Sequence, residues 1–208
     1  LLNVLLNGGV QPAEVKMRHR VESPFAGRQE VIQGVMLLGR PERFWLRALG
    51  PLGATLFDVR QDAVGKVTVA QALAQLENAS GATYLARDIA RIYLDDCGAD
   101  AVVRHHPLGV EASCPLPQTP ETGNPQVLAD DELREVIGTN GVLVKKCFYA
   151  AGAKTACVHF RDAQPFDDHW LAREIELIPA ALPYRLRIVL LDADVRFDVT
   201  KAFAGASR

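Results

Sequence analysis

The sequence predicts an α+β fold, in which a curved antiparallel sheet of about ten strands carries short helices over one face. Three observations carry that prediction. Apolar and polar residues alternate over short runs, as where Val195, Phe197 and Val199 oppose Arg196, Asp198 and Thr200. Turn signals separate the runs, among them Gly50-Pro51-Leu52-Gly53 and Thr139-Asn140-Gly141. One stretch changes to helical period, with Leu85, Ile89, Ile92 and Tyr93 at i, i+4, i+7 and i+8.

Taken in order, residues 14 to 22 and 29 to 38 read as the first two strands, and Gly39 to Phe44 supplies a turn. A third strand runs from Phe44 to Leu49 and a fourth from Ala54 to Gln61, with Lys66 to Val69 after the next turn. Residues 68 to 78 read as a short helix, although Thr68 and Val69 favour strand. The longer helix starts at Ser80, a good N-cap, and stops at Gly98, with Arg87, Asp88, Arg91 and Asp95 on its solvent face. Pro107, Pro115, Pro117, Pro120 and Pro125 then exclude a helix or central strand from residues 107 to 127. After this excursion come two hairpins, at Thr139-Asn140-Gly141 and around Ala151 to Ala153. A short helical turn, a strand at Glu174 to Ile178 and two closing strands up to Phe203 complete the chain. Neither side of the excursion closes a sheet of its own, so the reading keeps residues 1–208 as one domain.

The chain has 208 residues, 49% of them apolar and 23% charged, with a formal net charge of −2. Such a balance suits an ordinary globular core and supplies no basic footprint for nucleic acid. No run of about 20 apolar residues is present to cross a membrane as a helix. The start, Leu1-Leu2-Asn3, lacks both Met and the basic flank of a secretory leader, so any leader or lipid-bearing cysteine is expected upstream.

Four cysteines permit three pairings. A three-residue loop at Ala151 to Ala153 sets Cys147 opposite Cys157 across a hairpin, within disulfide reach. That leaves Cys97 with Cys114, tying a helix end to the proline-rich stretch. Four reduced cysteines in a cytosolic protein is the other reading.

Motifs for chemistry are sparse. Neither a phosphate-binding loop nor a Gly-x-Ser-x-Gly elbow occurs, and no catalytic residue is assigned. His105 and His106, near Cys114, Asp95, Asp96 and Asp100, make the best metal candidate, but adjacent residues of a strand point to opposite faces, and no metal is assigned. Cys157 and His159 share a strand face, which a disulfide to Cys147 turns to structure. The acid pairs Asp95-Asp96, Asp130-Asp131 and Asp167-Asp168 read as caps or solvated loops, and His19 and His169 as surface or internally satisfied histidines. Asn78-Ala79-Ser80 fits a glycosylation pattern, relevant only to a secreted eukaryotic protein. No cofactor is expected.

Both faces of the segment from Arg43 to Val67 carry apolar residues, so both must be covered, or the sheet must curl around a cavity. The run from Gln33 to Val59, with its aromatic-apolar strand leading into Gly50-Pro51-Leu52-Gly53, resembles the bacterial lipoprotein-carrier fold of LolA and LolB. The closing pair from Leu182 to Phe203 is similar to that fold as well. A group of Gram-negative envelope lipoproteins thought to share the fold carries a helix similar to "YLARDIARIYL". The resemblance implies an incomplete β-barrel lidded by helices, which shelters acyl chains without catalysis. It also implies a place in the cell envelope of a Gram-negative bacterium, in the periplasm or at the outer membrane through an upstream lipid anchor. The expected partner is a lipid or an acylated protein.

On this reading the cavity would be lined from the strands by Val35 (or Val31) and Leu37, Phe44 and Leu46, Phe57 and Val59, and Leu186 and Ile188. The lid would contribute Leu85, Ile89 and Ile92, while Trp45 fits either face. The alternative is a barrel filled by its own side chains, serving as a structural or protein-interaction lipoprotein.

Overall fold

The structure is a computed structural model. It describes residues 14–25, 28–39, 43–49, 54–62, 64, 66–71, 87–98, 100–116, 130–167, 169–180, 185–199, 201 and 203. Twelve strands form one antiparallel sheet: β1 Glu14–Phe25, β2 Arg28–Gly39, β3 Arg43–Leu49, β4 Thr55–Gln61, β5 Val67–Gln71, β6 Val102–His106, β7 Gly109–Pro115, β8 Glu132–Gly138, β9 Leu143–Ala150, β10 Ala153–Phe166, β11 His169–Pro179 and β12 Leu186–Asp194. Their order is β5-β4-β3-β2-β1-β12-β11-β10-β9-β8-β7-β6, so the sheet stays open between β5 and β6. The lid helix is short, helical from Arg87 and π-helical over Ala90–Leu94, and Val199, Lys201 and Phe203 near the end of the chain are also helical.

The sheet must curl. Tyr93 reaches His19 on β1, while Cys97, four residues later, is bonded to Cys114 on β7. Six strand spacings separate β1 from β7, about 29 Å on a flat sheet at about 4.8 Å each. Four residues of chain span at most about 14 Å. Only a concave sheet brings both strands to one short segment, and the result is an incomplete barrel under a helical lid.

Several elements depart from the sequence reading. Residues 107 to 116 are not an excursion: β6 and β7 form a hairpin, with Pro107 in the turn and Pro115 at a strand end, where the missing N–H costs little. Gly109 makes this packing feasible, since its φ is +151° and a Cβ would lie 2.1 Å from the Ile137 carbonyl oxygen on β8. Residues 117–129 lie outside the described set. The segment proposed as a short helix begins as strand β5, and its remainder, like Ser80 and Leu85, lies outside the described residues. In place of a helical turn before Glu174, β11 starts at His169. The lid ends at Leu94, with Asp95 already extended at ψ 118°, rather than at Gly98.

The predicted last strand is absent despite its alternation. The Asp194 carboxylate accepts a hydrogen bond from the Arg196 amide, and the Asp198 carboxylate accepts one from the Lys201 amide. The first is a turn and the second a helix cap, and together they override the period-two pattern. The segment instead crosses the outer sheet face: Lys16 lies over Phe197, Val199 meets Gly39, and Arg43 lies over Phe203. Trp45 also lies outside, its indole donating to Asp58 at 2.8 Å between the guanidinium groups of Arg47 and Arg60. These contacts cover the second face of the first strands.

Candidate functional site: the concave face and its lid

Alternation along each strand sends one residue set to the concave face. Val15, Met17, Met36, Leu38, Phe44, Leu46, Val59, Phe148, Val158, Leu186 and Ile188 join one buried cluster there with Ile89, Ile92, Tyr93 and Leu94 of the lid. Seven predicted lining residues therefore share this face: Phe44, Leu46, Val59, Ile89, Ile92, Leu186 and Ile188. Val35 and Leu37 do not. They pair with Arg47 and Trp45 on the outer face, because Met36 and Leu38 occupy the inner phase of β2. An apolar run such as Val35 to Leu38 hides that phase from sequence reasoning. Phe57 pairs with Ala48 in register, its side chain lying outside the described set, as do Leu85 and the side chain of Val31.

The lid packs more than one stripe. Arg91, Ile92, Tyr93 and Leu94 are buried in succession, which the extra residue per turn of a π-helix accommodates. Asp88 and Arg91, expected in solvent, are buried too. Arg91 donates to both carboxylate oxygens of Asp130 at 2.9 and 3.0 Å, and Arg87 pairs with Asp130 at 3.0 Å. Burial acts to raise the Asp130 pKa, but the hydrogen bond and charge of Arg91 outweigh it and hold the carboxyl below its ordinary value. Thr155 also donates to Asp130.

Beyond the helix, the chain is latched to the sheet. Lys146, fully buried on β9, donates to the Asp95 carbonyl and to the Asp96 carboxylate at 2.6 Å, with Glu135 at 3.6 Å. The Cys97 amide donates to Glu135 at 3.1 Å, and Cys97 is bonded to Cys114. Cys147 is bonded to Cys157, so both pairings read from the sequence are present. The hairpin loop has two residues, Ala151 and Gly152, rather than three. A bulge at Thr155 supplies the missing residue and restores Cys147 opposite Cys157.

A cavity of about 30 Å³ opens between the lid and the sheet, lined by Val15, Met17, His19, Leu38, Tyr93, Val142, Leu143 and Trp170 among others. It has room for a water molecule, so in this conformation the described side chains fill the interior around it. Its polar feature is the Tyr93 hydroxyl 3.0 Å from His19 Nε2, both side chains buried. Burial lowers the His19 pKa to about 4 and pushes the Tyr93 hydroxyl up.

Lys146 escaped the sequence reading, and His19 is the internally satisfied histidine that reading allowed, yet each left a signal. His19 continues the inner phase of Val15 and Met17 while Lys16, Arg18 and Arg20 take the other, and Lys146 keeps phase with Phe148. Of the candidate metal residues, Asp95, Asp96 and Cys114 belong to the latch, while His105 and His106 stand apart on edge strand β6, opposite Val110 and Gly109.

Because His19 is neutral when folded and protonates near its ordinary pKa when unfolded, its contribution is complete above about pH 6.5. Below that the unfolded state takes up the proton first. Stability is expected to fall from about pH 6.5 to about pH 4, by roughly 3 kcal/mol in all. Urea midpoints measured across this range should lose that component of the slope in His19→Leu.

No protein-family model matches the sequence, and no curated protein matches it. Solved structures do match. A LolA superfamily protein from Nitrosomonas europaea superposes with a TM-score of 0.61 at 10% identity, over 97% of this chain and 96% of the other. A putative outer membrane lipoprotein-sorting protein domain from Vibrio parahaemolyticus gives 0.55 at 10% identity over 95% and 91%. A DUF1329 family protein from Desulfovibrio piger gives 0.54, with the same identity and coverage. The chain has a LolA-like fold.

Proposed function

We propose, on the premise of a LolA-like fold with an apolar concave face under a helical lid, that the chain is a non-enzymatic protein of the Gram-negative cell envelope. It binds lipid acyl chains, or the acyl chains of a lipidated protein, against that face. The observation that carries the reading is the lid itself, which presents Ile89, Ile92 and Leu94 to the sheet as a surface an acyl chain can replace. Uncovering those three side chains costs about 5–9 kcal/mol at about 1.5–3 kcal/mol each. A ten-carbon stretch of acyl chain returns about 8 kcal/mol at about 0.8 kcal/mol per CH₂. The two nearly balance, so exchange of the lid for the acyl chain is close to neutral in free energy, as reversible loading and release by a carrier require. Phe44, Leu46, Val59, Leu186 and Ile188 then contact the chain.

A second reading rests on the cavity of about 30 Å³, which is small beside the roughly 300 Å³ of ordinary ligand sites. On it, the barrel is filled by its own side chains and serves as a structural or protein-interaction lipoprotein. Native mass spectrometry of protein purified from bacterial envelopes, followed by lipid extraction, separates the two. The carrier reading expects a stoichiometric acyl species, and a uniform ligand-free mass favours the filled barrel.

A further inference from the structure

His19 interrupts an apolar surface. On the inner phase of β1 it follows Val15 and Met17, and its partners across the sheet are Gly34 on β2 and Leu190 on β12. Lys16, Arg18 and Arg20 take the outer phase, where Arg18 pairs with Asp192. From the lid, Asp88 and Arg91 engage each other and Arg91 also holds Asp130, while Tyr93 turns its hydroxyl to His19. The other described walls of the adjoining cavity are apolar, among them Leu38, Phe160 and Trp170. Burial is accordingly the cause of the lowered His19 pKa, with no contribution from a neighbouring charge among the described residues.

In the closed form the Tyr93 hydroxyl, 3.0 Å from Nε2, satisfies the ring. Displacement of the lid by an acyl chain takes Tyr93 away together with Ile92 and Leu94, its neighbours in the same turn. Methylenes laid against β1 then keep water from His19 and offer it no partner. A buried polar group left in that state weakens binding by about tenfold or more. A ligand that brings its own polar group to the ring removes this penalty.

We propose that the concave face selects acyl chains that end in a free carboxyl group, with the carboxyl seated on His19 Nε2 where the Tyr93 hydroxyl lies in the closed form. The ligand class is then the free fatty acid, an inference that rests on the acyl-binding reading and narrows it. At neutral pH the ring is unprotonated, and the acid in solution is ionised. Binding therefore takes up one proton from solvent, which is shared between Nε2 and a carboxyl oxygen. The resulting charge-assisted hydrogen bond is about twice as strong as a neutral one. An ester carbonyl can only accept from Nε2–H in the other tautomer, so it forms the weaker bond and takes up no proton.

Calorimetric titration with decanoate and with methyl decanoate, in buffers of differing ionisation heat, reads affinity and proton uptake together. Expected for decanoate are uptake of about one proton and affinity that tightens by up to about tenfold per pH unit from about pH 8 to about pH 6, because the bound state holds the extra proton. The ester should show neither effect. His19→Leu is expected to abolish the uptake and weaken decanoate about tenfold, with the ester unchanged or tighter. Should circular dichroism show that variant to be unfolded, His19→Gln makes the same comparison, since its amide hydrogen-bonds but takes no proton. Binding of decanoate without proton uptake, equal binding of acid and ester, or equal weakening of both in the variant would overturn selection by His19 and leave the acyl-binding reading standing. Binding of neither compound to the folded protein would overturn both.

Discussion

Lys146→Ala is expected to destabilise the protein by about 3–5 kcal/mol, one of the largest effects available to a single substitution here. The Lys146 side chain is fully buried, and its ammonium group holds the Asp95 carbonyl, Asp96 and Glu135. Asp96 keeps a partly exposed side chain and can return to water, but Glu135 cannot, because its side chain is 7% exposed. Removing the cation leaves that carboxylate without its charge partner, which is where most of the cost arises. Adding Glu135→Gln to Lys146→Met should therefore recover much of the loss. Urea unfolding midpoints at pH 7 read both effects. A loss below about 1 kcal/mol for Lys146→Ala would mean that the latch carries no buried charge.

The paired substitution Cys97→Ser and Cys114→Ser should move stability and binding in opposite directions. The disulfide closes a loop with a sequence separation of 17, so its removal is expected to cost about 3 kcal/mol. Calorimetry measures this as a lower Tm. The same bond anchors the end of the lid, and loosening it raises the population of the open form. Affinity for a fluorescent acyl probe should then rise, since apparent affinity scales with the competent fraction. A weaker variant with weaker binding would show that the latch shapes the site instead of restraining the lid.

What the sequence revealed about the fold, and what it concealed, follows from period and phase. Hairpins were legible wherever a turn signal stood between alternating runs, as at Thr139-Asn140-Gly141, and the cysteine spacings carried both disulfides. Prolines misled where they sit at a turn or strand end, as Pro107 and Pro115 do. Alternation misled after Asp194, where two aspartates capping backbone amides decide the path. For the site, Phe44, Leu46, Val59, Ile89, Ile92, Leu186 and Ile188 were legible as members of one apolar face. Val35 and Leu37 were not, because their apolar neighbours Met36 and Leu38 left the phase unmarked. The latch was hidden for another reason: a charged residue in a strand reads as solvated, and only the fold reveals that Lys146 meets both Glu135 and Asp96.

Hydrogen exchange across the lid, with and without an acylated peptide, tests the central claim most directly. The account predicts that the amides of Ile92, Tyr93 and Leu94 lose protection as the acyl chain takes their place, while Cys97, held by Glu135 and its disulfide, keeps it. Binding of the acylated peptide with an unchanged lid, or no binding at all, would contradict displacement of the lid by an acyl chain.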